Sequence, residues 1–150
     1  MTAGTGPDED VMLRTAYQEI YDELCDVKKI FRLRVHLFTT ALVLGLLYNI
    51  RSEKKMNHDL IRLSQLRDRE GEWNMQEQKD LIDVLVRVCC RGKDKRDSSL
   101  QMMSFADGGL KRLYEEYRLQ GVLDLSRILE EAKKAWPQRI KELLNEEIKQ

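Results

Sequence analysis

A chain of 150 residues, 42% hydrophobic and 35% charged, has enough apolar material for one core and too little length for two ordinary domains. Its 26 basic residues balance its 26 acidic ones, which excludes a protein that coats nucleic acid through bulk charge. Cys25, Cys89 and Cys90 lack paired spacing, which excludes a disulfide framework and a CxxC zinc or redox motif.

Residues 1–10 open with small, flexible residues and read as a disordered tail. No apolar h-region follows, so no signal peptide is expected and the thiols read as those of a cytoplasmic protein. From Val11, the residues Leu13, Ala16, Tyr17, Ile20, Leu24, Val27 and Phe31 recur at three- and four-residue steps. That spacing predicts an amphipathic helix over about 11–32. Residues 1–26 carry seven acids against the single base Arg14, so the chain starts acidic.

Residues 37–50 form the most apolar stretch, bounded by Arg32 and Arg34 before it and by Arg51, Glu53, Lys54 and Lys55 after it. About 14 residues at 1.5 Å each make a helix near 21 Å, short of the roughly 30 Å bilayer core. Apolar on nearly every side, it reads as the central helix around which others pack, with a short buried strand as the rival reading. Gly45 inside it costs roughly 1 kcal/mol relative to Ala, which points to close approach by a neighbour or a local bend.

Asn57 is placed to cap a shorter helix carrying Leu60, Ile61, Leu63 and Leu66. Asn74 and Glu77 have capping-box spacing ahead of an apolar run from Leu81 to Cys89, predicting a buried helix; the alternation of Val84, Val86 and Val88 offers a strand as the rival. Ser98 and Gln101 repeat the spacing and predict a helix from Ser99, with Gly108 and Gly109 inside it to kink it or admit another helix closely. Gly121 predicts a break, Val122 to Ala132 a further helix, and Pro137 the first turn of a last one. The expectation is an all-α fold, a single compact multi-helix bundle over residues 11–150 around the central apolar helix.

Catalytic constellations are not legible. His36 and His58 lack metal-ligand spacing, and no serine sits in a GxSxG context. Asp80 with Asp83, or Glu115 and Glu116 with a distant acid, offer the only hint of a shared metal. No cofactor is expected, and the pattern points away from an enzyme.

Residues 87–96 hold five bases against Asp94, and residues 51–69 hold six bases against three acids. The first run supplies candidate phosphate contacts: Arg87, Arg91, Lys93, Lys95 and Arg96, with Ser98 as a neutral donor. The second forms a weaker patch of Arg51, Lys54, Lys55, Arg62, Arg67 and Arg69. No base-reading module is evident, so any contact would be to backbone.

Two segments carry a resemblance. Phe38, Ala41 and Gly45 fit an F-x-x-A-x-x-x-G helix, and Phe105, Ala106, Gly108, Gly109 and Leu110 fit a Y/F-A-x-G-G-[LI] element. Together they resemble the small proteins associated with bacterial DNA phosphorothioation (Dnd) systems. The resemblance implies a cytoplasmic role in multi-protein, DNA-targeting anti-phage defence and brings no catalytic residues with it. The resulting expectation is a noncatalytic accessory subunit that binds protein subunits of a defence complex, with double-stranded DNA as a further partner and no membrane. The alternatives are a helical adaptor or homodimeric scaffold without DNA contact, and a metal-dependent nuclease or hydrolase.

Overall fold

The computed structural model describes residues 5–8, 10–65, 75–90 and 92–149. In chain order the elements are β1 (Met12–Thr15), α1 (Gln18–Tyr21), which runs on as a π-helix (Asp22–Val27), α2 (Arg34–Tyr48), β2 (His58–Arg62) with a 3₁₀ turn (Leu63–Gln65), α3 (Met75–Cys89), α4 (Lys95–Gln120), α5 (Leu125–Lys133) and α6 (Trp136–Lys149). The fold is a mostly helical bundle with α2 at its centre. Among the described residues no helix is long and apolar enough to cross a membrane.

Helix α2 is central because it has few polar positions to turn outward. Leu37, Phe38, Ala41, Leu42, Leu44 and Leu46 are all buried. It stops at Asn49, which takes a left-handed conformation (φ 54°) while Ile50 N–H donates to the Gly45 carbonyl at 2.9 Å. Asparagine tolerates that conformation better than most residues with a side chain.

Helix α4 crosses α2 at a contact made of glycine. A methyl group at Gly109 would collide with the Ala41 carbonyl and lie 2.6 Å from the Gly45 nitrogen. One at Gly45 would collide with the Phe105 carbonyl, and one at Gly108 with the Ile50 carbonyl. Gly45 and Gly109 let the two helices meet backbone against backbone, and Gly108 admits the backbone of Ile50 and Arg51, just past the end of α2.

Two expected helices are otherwise. Residues 12–15 form a strand, paired antiparallel with 58–62 through Met12↔Arg62, Leu13↔Ile61, Arg14↔Asp59 and Thr15↔His58, with an irregularity between Leu13 and Arg14. Leu13 and Thr15 are buried while Arg14 points out, the two-residue period of a strand. The single helix expected over 11–32 is therefore a strand, a turn and a short helix ending at Val27. The helix expected after Asn57 is β2. Each strand finds its hydrogen bonds some 45 residues away, a partner that a helix-period reading of either segment alone cannot detect.

Asp107 joins this strand pair to the bundle. Buried in the middle of α4, its carboxylate accepts from the Thr15 hydroxyl at 2.6 Å and from Ala16 N–H at 2.9 Å. Thr15 Oγ1 in turn accepts from Tyr17 N–H. Burial is the largest influence on Asp107 and raises its pKa above the ordinary carboxylate value, against the lowering effect of those two hydrogen bonds.

The remaining helices follow their local signals closely. α3 is a helix rather than the rival strand; its expected cap, Asn74, lies outside the described residues. α4 begins four residues before the expected Ser99, because Asp94 caps it by accepting from Asp97 N–H at 2.8 Å. Gly121 ends α4 with φ 73°, Asp124 caps α5, and Pro137 occupies the first turn of α6. Residues 5–8 lie inside the segment read as a tail; Gly6 and Pro7 are buried, and Asp8 N–H donates to Ser99 Oγ at 3.0 Å.

Candidate docking surface

The structure sorts the bases of residues 87–96 by what each touches. Arg87 donates to Asp83 at 2.7 Å one turn earlier on α3, an ion pair that raises its pKa. Arg91 lies outside the described residues. Lys93, Lys95 and Arg96 are exposed around the start of α4. Ser98 is fully buried with its hydroxyl unpartnered and Gly92 packed against it, which takes it out of reach of a phosphate.

The acids between these bases are turned to the backbone. Asp94 caps the helix, and Asp97 accepts from Lys93 N–H at 2.9 Å and from the Gln101 amide at 3.3 Å. These carboxylates already meet the positive end of the helix dipole. What the α4 start offers a ligand is therefore its lysine and arginine side chains.

The second patch is threaded along α4. Ser52 N–H donates to the Ser104 carbonyl at 3.0 Å, and the Ser104 hydroxyl donates back to the Ser52 carbonyl at 2.6 Å. Arg51 lies 4.6 Å over the Phe105 ring and donates to Gln101, while Lys54 sits 5.0 Å from the Tyr17 ring centre. Lys55 is exposed. Arg62 is turned away to the Asp10 carbonyl at 2.7 Å. Arg67 and Arg69 lie outside the described residues.

The two basic runs meet at a cleft of about 320 Å³. Met56, next in sequence to Lys55, and Arg96, next to Lys95, both line it; Met12, Leu100 and Met103 supply apolar walls, and Arg14 lies at its edge. Arg14 is held by Asp59 across the strand pair at 2.8 Å, and its backbone N–H contacts the Met103 sulfur at 3.2 Å. This cleft is not legible in the sequence: its three methionines come from three separate segments and share no local period.

Three of the four carboxylates considered for a metal, Asp80, Asp83 and Glu116, have partners of their own. Asp83 pairs with Arg87, Asp80 accepts from Gln76 at 2.9 Å, and Glu116 pairs with Arg127 at 3.0 Å. Among the described residues no group of three or more His, Cys, Asp or Glu is placed to hold a metal ion. The three cysteines are buried, and burial, with Cys89 alongside, pushes Cys90 up to about 12. A thiol there is not a nucleophile at neutral pH. His36 is half-buried, and desolvation followed by Arg32 lowers its pKa.

No protein-family model, curated protein or solved structure matches this chain.

Proposed function

We propose that this chain is a noncatalytic accessory subunit that binds protein partners and lays a cationic edge against duplex DNA backbone. The setting implied by the resemblance of residues 38–45 and 105–110 is phosphorothioation-linked anti-phage defence in the bacterial cytoplasm. One observation carries the binding reading: Ser52 is bonded to Ser104 of α4, and Met56 and Arg96 line one cleft, so the segment that carries Lys54 and Lys55 and the helix start that carries Lys93 and Lys95 border the same cleft. Flexible cations on a rigid helical platform suit the nonspecific neutralisation of phosphates.

Fluorescence anisotropy with a labelled duplex at several salt concentrations tests this. The parent should bind with a steep salt dependence, and Lys55→Glu, Lys93→Glu and Lys95→Glu together should weaken binding. Each lost phosphate contact reduces the logarithmic salt slope by about 0.9. A parent that fails to bind duplex removes the DNA half of the reading.

A scaffold that associates with itself is the second reading, favoured by Trp136, Ile140 and Leu144, which lie four residues apart along α6 and are each more than a third exposed. Sedimentation of the purified chain with and without Ile140→Glu separates the two. A dimer lost in the variant supports the scaffold.

A further inference from the structure

The N-terminal segment is pinned to the rest of the fold at three points, and each lies at a base that the sequence marks for phosphate contact. Gly6 packs on the Asp83–Arg87 ion pair, where a methyl group would lie 2.7 Å from Asp83 Oδ1 and 3.0 Å from the Arg87 guanidinium carbon. Asp8 N–H donates to Ser99 Oγ on α4 at 3.0 Å, and Asp8 lines the same cleft as Arg96. The Asp10 carbonyl accepts from Arg62 Nη1 at 2.7 Å.

The charges on this segment are not what holds it. Asp8 and Asp10 are both exposed. Among the described residues, the Asp8 carboxylate bonds only to Asp10 N–H, at 3.0 Å, and the Asp10 carboxylate has no partner. Asparagine would close the same turn, so the fold does not explain why both positions are acidic. In the cleft, Arg14 is paired with Asp59, which leaves Asp8 and Arg96 as the unpaired charges of its lining. Charges that share a cleft interact through a screening length of about 10 Å at 0.1 M salt.

We propose that the acidic N-terminal segment is an autoinhibitory strap on the cationic edge: Asp8 and Asp10 hold negative charge beside Arg96 and Arg62, where a duplex phosphate would otherwise sit, and so weaken DNA binding. The proposal assigns a regulation to that edge and rests on the DNA half of the reading above.

The test uses the full chain and a dye-labelled DNA duplex, read by anisotropy at about 50 and 200 mM salt. Asp8→Asn with Asp10→Asn keeps the turn and binds duplex at least about threefold more tightly than the parent at the lower salt, with a smaller gain at the higher. Glu130→Gln with Glu131→Gln controls for net charge. It sits on α5, which Arg127 ties to Glu116, about 30 Å along α4 from Arg96, and it gains less than about half as much. Ser99→Ala removes the acceptor of Asp8 N–H without changing any charge and binds about twofold more tightly; it keeps the test valid if the Asn variant melts below the parent. Equal affinity in the parent and a folded Asn variant, an equal gain from the α5 variant, or no gain in a folded Ser99→Ala overturns the strap and leaves the DNA reading standing. No duplex binding by either the parent or the Asn variant removes both.

Discussion

The guanidinium of Arg139 donates from Nε to the Leu46 carbonyl at 2.9 Å, although 93 residues separate the two. Arg139 is only 3% exposed. It also reaches the Cys89 carbonyl at 3.5 Å and Glu142 at 3.4 Å. One buried cation thereby answers carbonyls at the C-terminal ends of α2 and α3, where helix dipoles favour positive charge, and fixes α6 across both.

Replacing Arg139 should therefore cost more than its single charge suggests. Arg139→Met fills the volume but strips a charged donor from the Leu46 and Cys89 carbonyls, leaving Leu46 only a 3.4 Å bond from Asn49 N–H, and losing such a charge-assisted donor costs roughly 1.5–3 kcal/mol. Arg139→Lys recovers part of this at most, because one ammonium cannot reproduce the planar fork. Urea midpoints should rank parent, Lys variant, then Met variant. A Met variant as stable as the parent would remove the latch.

Gly109→Ala should destabilise despite its gain of about 1 kcal/mol in helix propensity. The added methyl meets the backbone of Ala41 and Gly45, which cannot rotate away, and overpacking of this kind costs roughly 1–3 kcal/mol or more. Gly121→Ala provides the contrast: nothing lies within 4 Å of an added methyl there, and only the left-handed φ of 73° is strained. Thermal melts should place Gly109→Ala well below Gly121→Ala. The reverse order would mean that α2 and α4 separate at little cost.

Asp107 gives a pH signature whose sign can be stated. Its folded pKa lies above the ordinary 3.8, with burial the largest cause. A raised carboxylate contributes stability that is fully present below the unfolded pKa and is lost as pH rises through the folded one. The parent should thus lose stability relative to Asp107→Asn as pH rises upward from about 3.8. Asp107→Ala should be the worst of the three, leaving Ala16 N–H and the Thr15 hydroxyl without an acceptor. Denaturant titrations of the three proteins between pH 4 and 7 provide the measurement. A stability difference between parent and Asn variant that does not change with pH would refute it.

Cys90 should resist alkylation in the native protein at pH 8, because it is fully buried and its thiol is held near 12. Labelling by iodoacetamide, followed by mass spectrometry, should reach it only at denaturant concentrations that unfold the chain. Modification of Cys90 in the absence of denaturant would show that this end of α3 opens readily.

The sequence by itself determined the helical class and the central role of residues 37–50, because a segment apolar on all sides has nowhere to go but inside. It also marked Gly45, Gly108 and Gly109 as points of close approach or bending, without saying what they meet, and the stop at Gly121 and the start at Pro137, each the consequence of one residue's local backbone chemistry. Only the tertiary structure decided that residues 12–15 and 58–62 are strands, that Ser98 is buried, and that Met56 and Arg96 line one cleft. The same holds for Asp107 and Arg139, two charged residues on helices whose sequence context reads as solvated surface. Their partners lie about 90 residues away, and hydrophobic periodicity reports which face of a segment turns inward without reporting what that face meets.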